Sequence, residues 1–126
     1  MDVIYDRDGK AVGWLHGHAV YDRLHRLRAF VQTDPNVFAY RSLGALFSYR
    51  RAYLGHFDRG FFRDRTGHAV AWVPGAHDGP LTPVAERPPV HPILPEPSLP
   101  PVVPAPPPPT PSTSWSSLTW DEFLSP

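Results

Sequence analysis

The sequence predicts an all-β fold of four short β-hairpins, arranged as petals around a pseudo-four-fold axis and followed by a disordered proline-rich tail. One eleven-residue phrase recurs along the first part of the chain, and it combines an Asp–Gly turn with flanking β-forming residues. Of 18 prolines, 16 lie from Pro80 onward, which separates a compact head from a tail. We therefore predict a β-hairpin repeat domain over 1–79, a disordered proline-rich spacer over 80–114 and a short acidic–aromatic docking segment over 115–126.

The first and last hairpins are predicted by the phrases "IYDRDGKAVGW" (4–14) and "FRDRTGHAVAW" (62–72). Each begins with an apolar residue, continues with Asp and Arg, reaches a central glycine and ends in small apolar residues and Trp. Glycine tolerates the positive φ that a tight turn needs, and Asp accepts hydrogen bonds from the turn backbone. In the first copy, the alternation predicts a strand with Val12 and Trp14 on one face.

The middle hairpins are predicted by weaker copies of the same phrase. "VYDRLHRLRAF" (20–30) keeps Tyr, Asp, Arg and a closing aromatic, and it has His25 where the glycine stood. "AYRSLGALFSY" (39–49) has Gly44 at the turn position, and "YLGHFDRGF" (53–61) is a further aromatic–glycine–aromatic phrase. A helical interpretation is disfavoured because each glycine costs a helix about 1 kcal/mol.

The copies are expected to pack into a closed ring, because an isolated hairpin is marginally stable and closure removes exposed strand edges. This arrangement resembles the four-fold β-flower family of small bacterial repeat domains. Its petals read "Y-D-x-x-G-x-x-x-G-W/Y" and then "L-G-x-F-x-x-G-x-x-x-D-x-x-G", matched here by "IYDRDGKAVGWL" and "YLGHFDRGFFRDRTGHAVAW". The resemblance covers residues 3–73 and none of the tail. It implies the fold and transfers no catalytic residue.

The candidates for chemistry in the head are three repeated aspartates and five histidines, of which the first two form the pair "HGH": Asp6, Asp22, Asp64, His16, His18, His25, His56 and His68. Each aspartate precedes an arginine and stands where it can bind turn amides, so a structural role is favoured over acid–base catalysis. The histidines fall at predicted petal tips, and there is no cysteine and no helix-borne histidine pair to complete a zinc site. We therefore predict no catalytic residue, no metal and no cofactor.

The C-terminal segment is the predicted partner-binding site. Thr119 followed by Glu122 forms a capping-box pattern, which predicts one helical turn. Large apolar side chains at a free chain end are typical anchors of interfaces. The candidate partner-binding residues are Trp115, Leu118, Trp120, Phe123 and Leu124. Their expected partner is an unidentified protein or the head of the same chain, with the spacer sampling polyproline II.

Charge and hydropathy constrain the remaining partners. The net charge is zero, and the head carries 11 Lys and Arg against eight Asp and Glu, which disfavours nucleic acid as a partner. No apolar run approaches the ~20 residues of a membrane span, and "MDVIYDRDGK" lacks the apolar region of a signal peptide. We expect a cytoplasmic protein without membrane contact, whose small unstapled head is suited to self-association.

The function predicted from these features is that of a non-catalytic protein-interaction or adaptor module with a C-terminal linear motif on a proline-rich spacer. One alternative is a nucleic-acid-contacting β domain, because "RLHRLR" (23–28) and "YRR" (49–51) alternate with aromatic residues. A second alternative is an enzyme with its site at the centre of the flower, which a deep polar pocket on the axis would indicate.

Overall fold

The computed structural model describes residues 1–33, 43–48, 52–95, 104 and 106–125. Within these residues the chain forms eight strands and one short helix. They are β1 (Asp2–Asp6), β2 (Ala11–His16), β3 (Ala19–Asp22), β4 (Leu27–Thr33), β5 (Leu43–Ser48), β6 (Tyr53–Asp58), β7 (Phe61–Arg63), β8 (Ala69–Trp72) and α1 (Trp120–Leu124). Consecutive strands pair antiparallel, and β8 pairs with β1 to close a barrel. The predicted all-β fold is confirmed.

The barrel consists of four hairpins, which we number 1 to 4 and which comprise β1–β2, β3–β4, β5–β6 and β7–β8. In hairpin 1 the turn is closed by a 2.9 Å hydrogen bond from the Asp6 amide to the Lys10 carbonyl. The chain passes through the left-handed region at Gly9 and at Gly67 in hairpin 4, with φ of 80° and 89°. His25 has φ of 62° at the same point of hairpin 2, which confirms that it replaces the turn glycine.

Every hairpin contains one β-bulge in its second strand, just after the turn. In hairpin 1 the pairing passes from Tyr5↔Ala11 to Ile4↔Gly13, so Val12 has no partner opposite. The bulge turns Val12 toward the barrel interior, while Trp14 lies in a cluster on the outer face. The prediction that these two residues share a face is therefore wrong. The residues skipped in hairpins 2, 3 and 4 are Arg28, Leu54 and Val70.

Apolar side chains fill the barrel interior, as an eight-stranded barrel allows. The interior cluster contains Ile4, Leu15, Val20, Ala29, Val31, Leu46, Leu54, Phe57, Phe62, Val70, Ala71, Val73, Trp120, Phe123 and Leu124. A second cluster covers part of the outer face and contains Val3, Tyr5, Ala11, Trp14, Ala19, Tyr21, Phe61, Ala69, Trp72 and Leu94. Residues from beyond the hairpins therefore contribute to both clusters.

The third hairpin turns at a different place from the one predicted. Gly44 lies inside β5, opposite Phe57, and pairing with β6 continues to Phe47↔Tyr53, beyond which the Ser48 amide donates to the Ala52 carbonyl at 2.8 Å. Ala45, Leu46 and Phe47 of β5 are all buried, and Leu46 belongs to the interior cluster, which sets the strand register more strongly than a single glycine does. The aromatic ends predicted for this copy, Tyr40 and Tyr49, lie outside the described residues.

Candidate functional site

The repeated aspartates hold the hairpin turns. Oδ1 of Asp64 accepts hydrogen bonds from the amides of Thr66 and His68 at 2.9 and 3.1 Å, and Asp6 and Asp22 bind their own turns in the same way. Burial alone would raise the pKa of Asp64, but hydrogen bonds from Ser116, Thr66 and His68 hold that pKa below its ordinary value. Asp64 is therefore ionised, with its oxygens occupied by turn donors and by the C-terminal Ser116 hydroxyl.

The C-terminal helix α1 closes the end of the barrel at which these turns lie. Its predicted capping box is confirmed, since the Thr119 hydroxyl accepts from the Glu122 amide and the Glu122 carboxylate accepts from the Thr119 amide. Three predicted site residues, Trp120, Phe123 and Leu124, are buried in the interior cluster, with Trp120 5.3 Å from the Phe62 ring.

The other two predicted site residues lie outside the interior. Trp115 packs edge-on against Phe61 on the outer face, with ring centroids 6.1 Å apart, and Leu118 is 36 % exposed. The structure thus seats this segment on its own barrel and divides the five residues between the interior, the outer face and the surface. Docking of the segment onto a separate protein stays a prediction.

The chain leading into α1 is attached to β8 and to the first hairpin. The Ala69 amide donates to the Ser114 carbonyl at 3.3 Å, and the Ser116 amide donates to the Ala69 carbonyl at 2.7 Å. The Ser116 hydroxyl donates to Asp64 at 2.6 Å, and Arg7 donates to the Ser116 carbonyl at 3.1 Å. This segment therefore continues the sheet beside Ala69, on the side where pairing of β8 with β1 has ended at Asp6↔Ala71.

Arg63 is a buried cation that joins three parts of the chain. Its side chain is 2 % exposed, and one terminal nitrogen donates to the carbonyls of Gly67 and Ser112, at 2.7 Å each. The other terminal nitrogen donates to the Asp78 carbonyl at 3.1 Å. Both ends of the proline-rich stretch, near residues 78 and 112, therefore meet at one guanidinium group.

Residues 80–95, which we call the proline strap, have no regular secondary structure but contact the barrel at two places. The Glu86 amide donates to the Gly9 carbonyl at 2.8 Å, and the Glu86 carboxylate accepts from the Ala11 amide at 2.7 Å. Leu94 is buried in the outer cluster, and the Tyr21 hydroxyl donates to the Pro95 carbonyl. Between and beside these attachments, four aliphatic side chains point into solvent. They are Leu81, Val84, Val90 and Ile93, which are 94, 94, 93 and 103 % exposed.

Two clefts flank α1 on opposite sides. One, of about 360 Å³, lies at hairpins 1 and 2 and is lined by Asp22, Arg23 and Trp120 among others. The other, of about 300 Å³, lies at hairpins 3 and 4 and is lined by Arg65 and Leu118 among others. Because they use corresponding turn residues, the two clefts are related by the internal repeat.

The described histidines lie on several elements: His16 is the last residue of β2, and His18 lies in the turn that follows it. His56 is buried on β6, where its Nδ1 lies 2.8 Å from the Tyr53 hydroxyl, and burial lowers its pKa. His68 is hydrogen-bonded to Thr66, and His25 packs edge-on against Trp14. Among the residues that the structure describes, no three His, Asp or Glu side chains converge as metal ligands would.

Sequence reasoning did not identify Arg63, Glu86 or Ser116 as residues that hold the fold together. The sequence offers one indication for Arg63, because the corresponding positions in hairpins 1 and 2 are the aromatic residues Tyr5 and Tyr21. A charged residue at an otherwise aromatic position indicates a local polar partner. Glu86 and Ser116 have no such signal, since their partners are distant in sequence.

Comparison with known proteins gives one match. A family model described as "4-fold beta flower protein" matches residues 2–124, which extends well beyond the stretch 3–73 that carries the resemblance in sequence. Neither the search of curated proteins nor that of solved structures finds a match. Within the described residues, no helix combines the length and apolar character needed to cross a membrane.

Proposed function

The chain belongs to the 4-fold beta flower family, and from that premise we propose that it is a non-catalytic protein-interaction module that displays its proline strap to a partner. The observation that carries the proposal is the exposure of four aliphatic side chains on the strap. Burying one such side chain in an interface stabilises it by about 1.5–3 kcal/mol. Four in one segment make the strap the strongest candidate for a partner contact.

The attachments of the strap support the same proposal. Glu86 and Leu94 fasten it to hairpin 1 and to the outer cluster, so Val90 and Ile93 are displayed near a fixed point. A segment that is ordered before binding loses less conformational entropy when a partner engages it. Prolines restrict its backbone further and favour the polyproline II conformation.

The partner that fits this surface is a protein with a groove lined by aromatic side chains. Such grooves recognise extended proline-rich segments and accept the apolar side chains between the prolines. The strap contains the run "RPPVHPILP" (87–95), in which Val90 and Ile93 are exposed and each is followed within two residues by a proline. The barrel interior, which apolar side chains fill, serves in this proposal as the support and not as the binding site.

The experiment compares capture of binding proteins by three forms of the full chain. These are the wild type, a strap variant carrying Val90→Asp and Ile93→Asp, and the control Leu24→Asp, which places one such charge on an exposed residue of the hairpin 2 turn. We expect the wild type and the control to retain a protein that the strap variant loses. The aromatic groove is then tested by titrating the purified binding domain with each form. Identical capture by all three forms, with equal thermal stability, would contradict the proposal.

A further inference from the structure

The hairpins separate from one another near their turns and leave a notch between each neighbouring pair. Pairing of hairpin 1 with hairpin 2 ends at Gly13↔Asp22, and pairing of hairpin 3 with hairpin 4 ends at His56↔Arg63. Beyond this last pair, toward the turn, the chain reaches another outward-facing residue in the second strand of the first-named hairpin. No strand lies beside that residue to accept a hydrogen bond from its backbone amide. This residue is the fifth after the turn aspartate or serine, and in hairpins 1 to 4 it is Ala11, Leu27, Tyr53 and Ala69.

The chain itself fills the notch between hairpins 1 and 2 with a carboxylate. Oε1 of Glu86 accepts from the Ala11 amide at 2.7 Å and lies 3.7 Å from Nη1 of Arg23, the residue after the turn aspartate of hairpin 2. The same arginine nitrogen donates to the Ala11 carbonyl at 2.8 Å. An amide and a guanidinium therefore hold one carboxylate that arrives on an extended, proline-flanked segment.

The notch between hairpins 4 and 1 is filled in a related way. Residues 114–116 bind the amide and the carbonyl of Ala69, and Arg7 donates to the Ser116 carbonyl at 3.1 Å. Arg7 follows the turn aspartate of hairpin 1, as Arg23 does in hairpin 2. Both notches therefore hold an extended segment through one strand-edge amide and one arginine.

The notch between hairpins 3 and 4 has the same two donors. Tyr53 occupies the position of Ala11, and Arg65 follows Asp64 as Arg23 follows Asp22. Arg65 is exposed and makes no hydrogen bond or ion pair with any residue in the described ranges. Its charge reaches Tyr53, where it opposes the rise in the hydroxyl pKa that burial causes.

The acidic groups beside this notch are already engaged. Asp64 accepts from Ser116, Thr66 and His68, and Glu122 accepts from the Thr119 amide in the capping box. A cleft of about 300 Å³ lies next to this notch, where Leu54, the residue after Tyr53, lines it together with Arg65, Asp64 and Glu122. Among the residues that the structure describes, Arg65 thus has no acidic partner, and it belongs to a site whose counterpart binds a glutamate.

We propose that the notch between hairpins 3 and 4 binds a glutamate or aspartate side chain on an extended, proline-flanked peptide of another protein. The Tyr53 amide and the Arg65 guanidinium hold its carboxylate, as the Ala11 amide and Arg23 hold Glu86. The occupant is argued from charge complementarity and from the segment that fills the corresponding notch. This site is separate from the proline strap, so it goes beyond the function proposed above and fails or stands independently of it.

The test titrates the ¹⁵N-labelled full chain with a capped peptide of sequence PVAERPPV, which reproduces residues 83–90. A second peptide with Gln in place of Glu is the matched ligand control. We expect amide shifts at Tyr53 and side-chain shifts at Arg65, and binding that weakens at high salt. Removing the charge from the peptide is expected to weaken binding about tenfold or more, as for a charge-assisted hydrogen bond.

Two protein variants locate the site. Arg65→Ala is expected to lose peptide binding. Its thermal stability should be unchanged, because the Arg65 side chain is exposed and unpaired among the described residues. Arg59→Ala, at the opposite end of the barrel, is the control and should retain peptide binding. Equal binding of both peptides, shifts at the Ala11 amide instead of Tyr53, or full binding by Arg65→Ala would overturn the proposal. Self-association of the wild type that Arg65→Ala abolishes would also overturn it, since the occupant would then be a second copy.

Discussion

At the scale of single residues, Arg63 illustrates how one buried charge organises this chain. Three carbonyl groups accept its hydrogen bonds, and they come from hairpin 4, from the start of the proline-rich stretch and from its end. Hydrogen bonds to a charged group each stabilise by about 1.5–3 kcal/mol, which offsets the cost of burying the cation. Arg63 therefore holds both ends of the proline-rich stretch, which the sequence predicts to be a tail, on the barrel.

His56 makes stability depend on pH in a defined direction. Burial lowers its pKa below the ordinary value of 6.5, so the unfolded chain binds a proton more readily than the folded chain does. The contribution of His56 is therefore fully present above about pH 6.5 and is lost as the pH falls from there through the lower pKa of the folded state. Asp22 and Asp64, whose pKa values are also lowered, act in a separate window below their ordinary value of 3.8.

We expect the free energy of unfolding to fall between pH 7 and pH 5, and His56→Phe to flatten that dependence. Phe is the matched replacement because Phe30 occupies the corresponding position in hairpin 2, where it pairs with Phe47. Urea unfolding at a series of pH values measures the slope. His91→Gln, at an exposed position of the proline strap, is the control and should leave the slope unchanged. An identical slope in His56→Phe would show that another group titrates.

At the scale of elements, each hairpin combines a capped turn with a bulge. The turn side chain, Asp in three hairpins and Ser48 in the third, accepts backbone donors that would otherwise be unpaired. The bulge then directs one extra side chain inward at the end of the barrel that α1 closes. Val12, Leu54 and Val70 pack there in or against the interior cluster, while Arg28 donates to Ser125 at 2.9 Å.

The short helix α1 depends on its cap and on its contacts with the barrel. An isolated helix of five residues does not persist in water, so burial of Trp120 and Phe123 must hold it. Thr119→Ala removes the cap and is expected to destabilise the protein by about 1 kcal/mol. Hydrogen exchange of the Glu122 and Phe123 amides should accelerate at the same time. Ser117→Ala, at an exposed site outside the helix, is the matched control; equal effects of the two substitutions would argue against the cap.

At the scale of the whole molecule, the C-terminal segment and the hairpins share one interior cluster. Trp120→Ala is expected to cost about 3–5 kcal/mol, because it removes a large side chain from the interior cluster and leaves a cavity. Leu118→Ala, a truncation at a partly exposed site, is expected to cost far less. Urea unfolding of the two variants measures the difference. A stability of Trp120→Ala equal to that of the wild type would mean that the segment is a detachable motif.

Much of the fold follows from local patterns in the sequence. Several features depend only on residues within a few positions of one another. They are the turns with Asp, the glycines with positive φ, the position of His25 and the capping box of Thr119. Their consequences are therefore readable from a single stretch of chain. The turn predicted at Gly44 is wrong because the repeat is weakest there. The bulge at Val12 is not predicted because a skipped residue does not change an alternating apolar pattern.

The sequence alone determined the number of hairpins, their turn chemistry and the apolar face of the last helical turn. Only the tertiary structure decided where that face is buried, which notches the chain fills and why Arg63 carries a charge inside the protein. The physical reason is sequence distance: Glu86 meets Ala11 and Ser112 meets Arg63 across many intervening residues. Such contacts depend on how the closed barrel brings distant segments together, and no local propensity encodes them.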